Sequence, residues 1–147
     1  MRRFLYDTAV FVYAVGAEHP YRDPCRDIVA RAAGGLLRGE ASVDLVQEFL
    51  HQRERRLRDR GAAAREARDV ASLCRLHELQ PLDVPLALTL YSRHERLSAR
   101  DAFLAALALN RGIDVVLSPD RGFDGLAGLE RIDPADMRAM ATLRTEP

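Results

Sequence analysis

The sequence predicts an α/β protein, a three-layer α/β/α sandwich built on a parallel sheet. Three observations carry that expectation. Short apolar runs alternate with longer amphipathic stretches in the order β-α-α-β-α-α-β-α-α-β-β, and such alternation favours a parallel sheet covered on both faces. Two of the short runs end directly on an aspartate, Asp7 and Asp44, at the place where a strand of an open sheet hands over to a loop or helix. A chain of 147 residues that is 48% apolar and 30% charged can bury one substantial core without disulfides or structural metals, so residues 1–147 are expected to form a single domain.

In chain order, Phe4-Leu5-Tyr6 reads as a buried strand, and Thr8 to Tyr13 as a short helix broken by Gly16 to Pro20. A helix from about Tyr21 to Ala33 places Ile28, Val29 and Ala32 on one face and stops at Gly34-Gly35. Ala41-Ser42-Val43 is short enough to be an interior strand. Asp44 then caps a long helix with Leu45, Phe49 and Leu57 on its apolar stripe, closed by Gly61. Ala62 to Glu78 continues as an amphipathic helix, and Leu79 to Val84 reads as an edge strand, where Pro81 is tolerated. Pro85 opens a helix to about Leu97. Ser98 caps the helix Ala99 to Asn110, which is apolar on nearly every face and therefore buried. Ile113 to Leu117 is the clearest strand, Ser118-Pro119-Asp120-Arg121-Gly122 is turn chemistry, and a last strand near Leu129 to Ile132 precedes Pro134 and a terminal helix from Ala135 to Leu143.

Composition narrows the classes of function. With 22 basic and 22 acidic groups the formal charge is zero, so no global field draws the chain to nucleic acid or to an anionic membrane, and any such binding is local. Every basic residue is arginine, whose planar fork suits phosphates and carboxylates. Cys25 and Cys74 lie far apart with no Cys-x-x-Cys and are expected to be reduced thiols of a cytoplasmic protein. Arg2-Arg3 and the apolar residues after them imitate a signal peptide, but Asp7 interrupts the apolar region, and no stretch approaches the ~20 apolar residues of a membrane span.

Four carboxylates fall on or near one rim of the expected sheet. Asp7 follows the first strand, Glu48 lies one turn into the helix after the second, Asp101 opens the buried helix, and Asp120 follows the fourth strand. Glu48 stands between Val46 and Phe49, which would pin that turn to the core. Asp101 precedes a long uncharged run, and a carboxylate beside such a stretch needs a partner, because burying it unpaired is costly. A hard divalent cation is one such partner, since Mg²⁺ and Mn²⁺ prefer oxygen ligands. Each residue also has an ordinary local use. Asp7-Thr8 and Asp44 are common helix starts, Ser98-x-x-Asp101 resembles a capping box, Asp120 suits a turn, and Glu48 could be solvated. Those uses do not account for three Asp and one Glu converging on one edge.

Four segments in order, Leu5-Tyr6-Asp7-Thr8, Ser42-Val43-Asp44-Leu45-Val46-Gln47-Glu48-Phe49, Ser98-Ala99-Arg100-Asp101-Ala102 and Leu117-Ser118-Pro119-Asp120-Arg121-Gly122-Phe123, resemble the PIN domain family, and more narrowly its VapC-type toxins of toxin-antitoxin modules. The resemblance covers about residues 2–133, leaving 134–147 as a tail. It implies a parallel five-stranded sheet of order 3-2-1-4-5, a Mg²⁺ or Mn²⁺ cofactor and endonucleolytic cleavage of single-stranded or structured RNA. It also implies a homodimer and a VapB-like antitoxin laid over the cleft. Carried over by position, Asp7, Glu48, Asp101 and Asp120 correspond to the catalytic and metal-holding quartet. Thr8 and Ser118 correspond to hydroxyl neighbours that orient the carboxylates. The family often has a further acidic residue just before the Phe at 123; here Gly122 holds that place, and Asp124 lies one step beyond.

The residues themselves suggest metal-assisted phosphodiester hydrolysis, in which clustered carboxylates hold a divalent ion that activates water for attack on phosphorus. His19, His51, His77 and His94 are scattered and form no Ser-His or Cys-His arrangement. Seven arginines lie between Arg53 and Arg68, but Glu54, Asp59, Glu66 and Asp69 among them favour a solvated helical hairpin. Arg100 and Arg121 adjoin the quartet and are the better candidates for phosphate contact. Two alternatives stand beside the nuclease. One is a haloacid-dehalogenase-like phosphatase using Asp7 as nucleophile, which wants a second Asp where Ala9 stands; the other is a PIN-like RNA-binding domain without catalysis.

Overall fold

The computed structural model describes residues 2–143, so the last four residues of the expected tail, 144–147, lie outside the described residues. The strands are β1 (Leu5–Tyr6), β2 (Gly39–Ser42), β3 (Cys74–His77), β4 (Val115–Leu117) and β5 (Glu130–Ile132). The helices are α1 (Thr8–Val15), α2 (Arg22–Ala33), α3 (Val43–Leu57), α4 (Arg60–Ser72), α5 (Asp83–Arg93), α6 (Ala99–Asn110) and α7 (Met137–Ala141), with a 3-10 turn at Arg121–Phe123. The strands form one five-stranded sheet of order β3-β2-β1-β4-β5, every neighbouring pair parallel. Both the α/β/α architecture and the 3-2-1-4-5 order are therefore as the sequence implied.

Side chains of a strand alternate between faces, and this sorts the core into two layers. Phe4, just before β1, and Tyr6 within it pack with Phe11, Ile28, Leu45 and Phe49 on the face covered by α1, α2 and α3. Leu5 and Val116 pack on the other face with Ala102, Ala106 and Leu107 of α6 and with Phe123. All of these side chains are essentially removed from water, at roughly 25 cal/mol per Å² of apolar surface. The Tyr6 ring fills the space a side chain at residue 39 would need: a Cβ on Gly39 would lie 2.0 Å from Tyr6 Cε2.

The third strand departs from the sequence expectation. Leu79 to Val84 is no strand but the turn into α5, in which Asp83 Oδ2 accepts from the Gln80 N–H at 2.8 Å. The strand is Cys74–His77, which the sequence reading assigned to the end of a helix running to Glu78, whereas α4 stops at Ser72. An edge strand with Arg75 exposed lacks the apolar signature of a strand. Its identity comes from four-residue pairing with β2, Gly39 to Cys74 through Ser42 to His77. Helix ends shift for local reasons. Ser42, whose Oγ accepts from Asp44 N at 3.0 Å, caps α3 in place of Asp44. Arg58 closes α3 in the left-handed conformation at φ 53°, and Asp59 caps α4, so Gly61 lies inside α4 and does not end α3. Helix α5 begins at Asp83 and ends at Arg93, earlier at both ends than expected, and the terminal helix is confined to Met137–Ala141. Among the described residues no helix is long and apolar enough to cross a membrane.

Candidate active site

The carboxyl ends of β1 and β4 are adjacent, and each delivers a carboxylate. Asp7 occupies the N-cap position of α1; the Ala9 N–H near its carboxylate favours the charged form, but no side-chain capping hydrogen bond closes. Ser118 Oγ instead donates to Asp7 Oδ2 at 2.5 Å, and the same oxygen accepts from the Asp120 N–H at 2.9 Å. Asp120 is fixed further by the Gly122 N–H, which donates to its Oδ1 at 2.8 Å.

Helices bring the other two acids. Ser98 caps α6 by accepting from the Asp101 N–H at 3.1 Å, leaving the Asp101 carboxylate to point elsewhere. That carboxylate is buried, at 8% exposure for the residue, and lies beside the Asp7 and Asp120 carboxylates. From the first turns of α3, Glu48 Oε2 accepts from Thr8 Oγ1 at 2.7 Å, while its Oε1 pairs with Arg100 and receives Gln52 Nε2 at 3.3 Å. A cavity of about 950 Å³ opens between α3 and α6, lined by Asp7, Glu48, Arg100 and Asp101 and walled by Leu45, Phe103 and Leu104. A second, of about 570 Å³, meets the first at Asp7, Glu48 and Asp101 and adds Asp120, Tyr13 and Tyr21.

The electrostatics follow from this crowding. Burial raises the Asp7 carboxyl above its ordinary range; the Ser118 bond opposes that, and the charges of Glu48 and Asp120 add to it. Asp101 is pushed up to about 7 by burial, by the charge of Asp7 and by its contact with Asp120. Such a set of oxygens, short of positive charge on the Asp7-Asp101-Asp120 side, fits a hard divalent cation. Among the described residues no three His, Cys, Asp or Glu stand at metal-binding spacing, and Glu48 is held back toward Thr8 and Arg100.

The remaining sequence-named residues divide. Arg100 reaches the cluster and neutralises Glu48. Arg121 is exposed at the start of the 3-10 turn beside Asp120. Asp124 accepts from Arg131 Nε at 2.7 Å, which holds its carboxyl below the usual range, and it lines neither cavity. Gly122 has no room for the acid that the family resemblance led one to expect there, since a Cβ would lie 2.6 Å from the Arg96 carbonyl oxygen. The arginine-rich hairpin is internally paired, Arg53 to Glu66 at 2.6 Å and Arg60 to Glu54 at 2.8 Å. Sequence reasoning missed His51, Gln52 and Arg55, which line the larger cavity at helical spacing from Glu48; the i+3, i+4 and i+7 pattern was the available signal.

Carboxylates gathered at the strand ends of a parallel sheet, beside a groove, define the layout of a metal-dependent phosphodiesterase. Comparison with known proteins narrows the class. The PIN domain profile matches residues 4–129. Ribonuclease VapC7 of Mycobacterium tuberculosis is 39% identical over 139 residues, 93% of this chain and 94% of the relative. Ribonuclease VapC13 of the same organism is 31% identical over 131 residues, 87% of this chain and 98% of the relative. Among solved structures, a DNA-bound VapBC from Salmonella typhimurium has the same fold, with a TM-score of 0.66 at 18% identity, covering 91% of this chain and 99% of that one. The chain belongs to the PIN domain family, among the VapC ribonucleases. Divalent-metal dependence goes with that family, and membership displaces the phosphatase alternative.

Proposed function

We propose that this protein is an endoribonuclease that uses Mg²⁺ or Mn²⁺ to hydrolyse phosphodiester bonds of RNA, and that it is the toxin of a VapBC-type pair. The observation that supports this best is the Asp7-Asp101-Asp120 group at the meeting point of two cavities, with the proton affinity of Asp7 and Asp101 raised and the nearest paired arginine committed to Glu48.

Asp7, Asp101 and Asp120, with Glu48 at the rim, would hold the cation, which when bound supplies charge for the phosphate and lowers the proton affinity of water. The chain's own groups do the rest. Ser118 keeps Asp7 and Asp120 at a set spacing through one hydroxyl. Thr8 fixes the Glu48 rotamer, leaving Oε1 to exchange Arg100 for another partner. Arg100 and Arg121 flank the cluster and would meet phosphate oxygens, for which the guanidinium fork is suited. Leu45, Phe103 and Leu104 exclude water from one side, which strengthens each of these interactions.

The groove between α3 and α6 has the size and apolar lining to take a segment of a VapB-like antitoxin, and the carboxylates would accept a cationic side chain from it. Val84, Leu88 and Tyr91, at i, i+4 and i+7 of α5, are exposed and supply an apolar stripe for a homodimer. Free Cys25 and Cys74 support a cytoplasmic setting.

The deciding experiment is cleavage of single-stranded RNA with EDTA and with Mg²⁺ or Mn²⁺ restored. Metal-restored cleavage by the native chain, lost in Asp7→Asn, is the expected result. Binding of RNA with no cleavage under either metal would instead make the protein a non-catalytic RNA-binding domain.

A further inference from the structure

Three aromatic rings stand together at the mouth of the carboxylate cleft; Tyr13 and Tyr21 rest one side on the edge of the core, His19 is exposed, and the hydrolysis described above uses none of them. Tyr13, near the end of α1, lies 4.5 Å from His19 between ring centroids and 5.6 Å from Tyr21, while His19 and Tyr21 are 6.0 Å apart. His19 stacks on Tyr13 and on Tyr21 at interplanar angles of 25° and 16°, while the two tyrosines are tilted by 34°. Tyr13 and Tyr21 line the same cavity as Asp7, Asp101, Asp120 and Arg100.

The rings are held in place. Tyr21 donates its hydroxyl to Asp133 Oδ2 at 2.6 Å, and Asp133 is fixed by Arg131 Nη1 at 3.3 Å. The Tyr21 N–H donates to His19 Nδ1 at 3.1 Å, which orients the imidazole against its neighbours. His19 is exposed and the two tyrosines are half-buried, so aromatic surface faces the cavity without any loop having to move. Arg121, whose charge reaches the Tyr21 phenol, adds a cation on the same side.

We propose that Tyr13, His19 and Tyr21 form a stacking subsite for one unpaired base of the RNA, flanking the phosphate placed at the carboxylates. The proposal rests on the ribonuclease reading for its substrate. A base offers a neutral π-face that the acidic cleft does not repel, and stacking on a pre-set ring tolerates any base while rejecting a paired one. The subsite therefore selects unpaired RNA without reading its sequence.

The test pairs ring variants of the full chain with a fluorescent oligoadenosine octamer and with versions carrying one abasic nucleotide at successive positions. Binding is read by anisotropy in Ca²⁺, and cleavage in Mn²⁺. Tyr13→Leu is expected to weaken binding of the intact octamer about tenfold, with the loss in KM and little in kcat. For the native chain, one abasic position should cost a similar factor, and Tyr13→Leu should show no further loss at that position, the non-additivity that marks a direct contact. Tyr13→Phe, which keeps the ring, should bind as the native chain does. Equal losses on intact and abasic RNA, or no base-dependent penalty at any position, would overturn the subsite and assign the rings to packing of residues 16–20. Coupling without cleavage would sink the nuclease reading and keep the subsite; cleavage with unchanged KM in Tyr13→Leu would do the reverse.

Discussion

Ser118 Oγ donates to Asp7 Oδ2 at 2.5 Å, joining two strand ends that are 111 residues apart in sequence. Because the same oxygen accepts the Asp120 N–H, one small side chain sets the spacing of two carboxylates. Ser118→Ala should raise the Asp7 pKa further, since the lost bond was lowering it, and take from the Asp120 N–H the acceptor that the buried Ser118 hydroxyl supplies. A stability loss of about 1–3 kcal/mol is expected in denaturant melts. Isothermal titration should show weakened Mn²⁺ binding, and cleavage should fall more than stability explains.

Asp101 separates a capping role from a metal role. The cap is made by Ser98 Oγ to the Asp101 N–H, which any residue at 101 can donate, so the carboxylate is free of that duty. Asp101→Asn should therefore keep or raise the melting temperature, because it removes a buried charge crowded by Asp7 and Asp120, while RNA cleavage falls by orders of magnitude. An active, less stable variant would refute the assignment.

The same crowding predicts how stability depends on pH. Asp101, at about 7, and Asp7 both have folded-state values above the unfolded carboxylate range near 4. Each then contributes stability that is full below about pH 4 and is lost as pH rises through its folded-state value, about 7 for Asp101. Burial would also raise Glu40 and Asp83, but Arg3 with His77, and Arg111 with Asn110, bring both below their usual range. Those two stabilise above about pH 4 and are lost in acid. In EDTA, the melting temperature should accordingly rise by several degrees from pH 8 to pH 6, and turn down below about pH 4. Asp101→Asn should flatten the upper limb. Adding Mn²⁺ should reverse its slope, because a cation competes with the proton.

Gly122 tests whether a fifth acid can be restored. A Cβ there meets the Arg96 carbonyl oxygen at 2.6 Å, a backbone group that cannot swing aside. Gly122→Asp should cost about 1–3 kcal/mol in chemical denaturation through overpacking, and should not raise the cleavage rate.

Glu40 is the control far from chemistry. It is 5% exposed, accepts twice from Arg3 at 2.8 Å and contacts His77 Nε2 at 2.8 Å, joining β2 to β3 and to the start of the chain. Glu40→Gln should cost about 2 kcal/mol by thermal melt, with Arg3 part-exposed and so partly rescued by water. Cleavage per folded molecule should be unchanged.

The sequence by itself determined the layers, the number of strands and the placing of Asp7, Glu48, Asp101 and Asp120 near one rim. These follow from local period and cap chemistry, which act over a few residues: the apolar run before Asp7, the Ser98 cap, the uncharged face of α6. Tertiary structure alone decided the rest. Cys74–His77 became a strand because its backbone pairs with β2, a partner more than thirty residues away that leaves no mark on local polarity. Asp124 was drawn off by Arg131, and Gly122 was kept small by the Arg96 carbonyl, both contacts set by how the 3-10 turn packs. Asp101 acquired its raised proton affinity only when the fold excluded water and brought Asp7 and Asp120 beside it, because desolvation and Coulomb repulsion depend on distances in space and not on spacing in the chain.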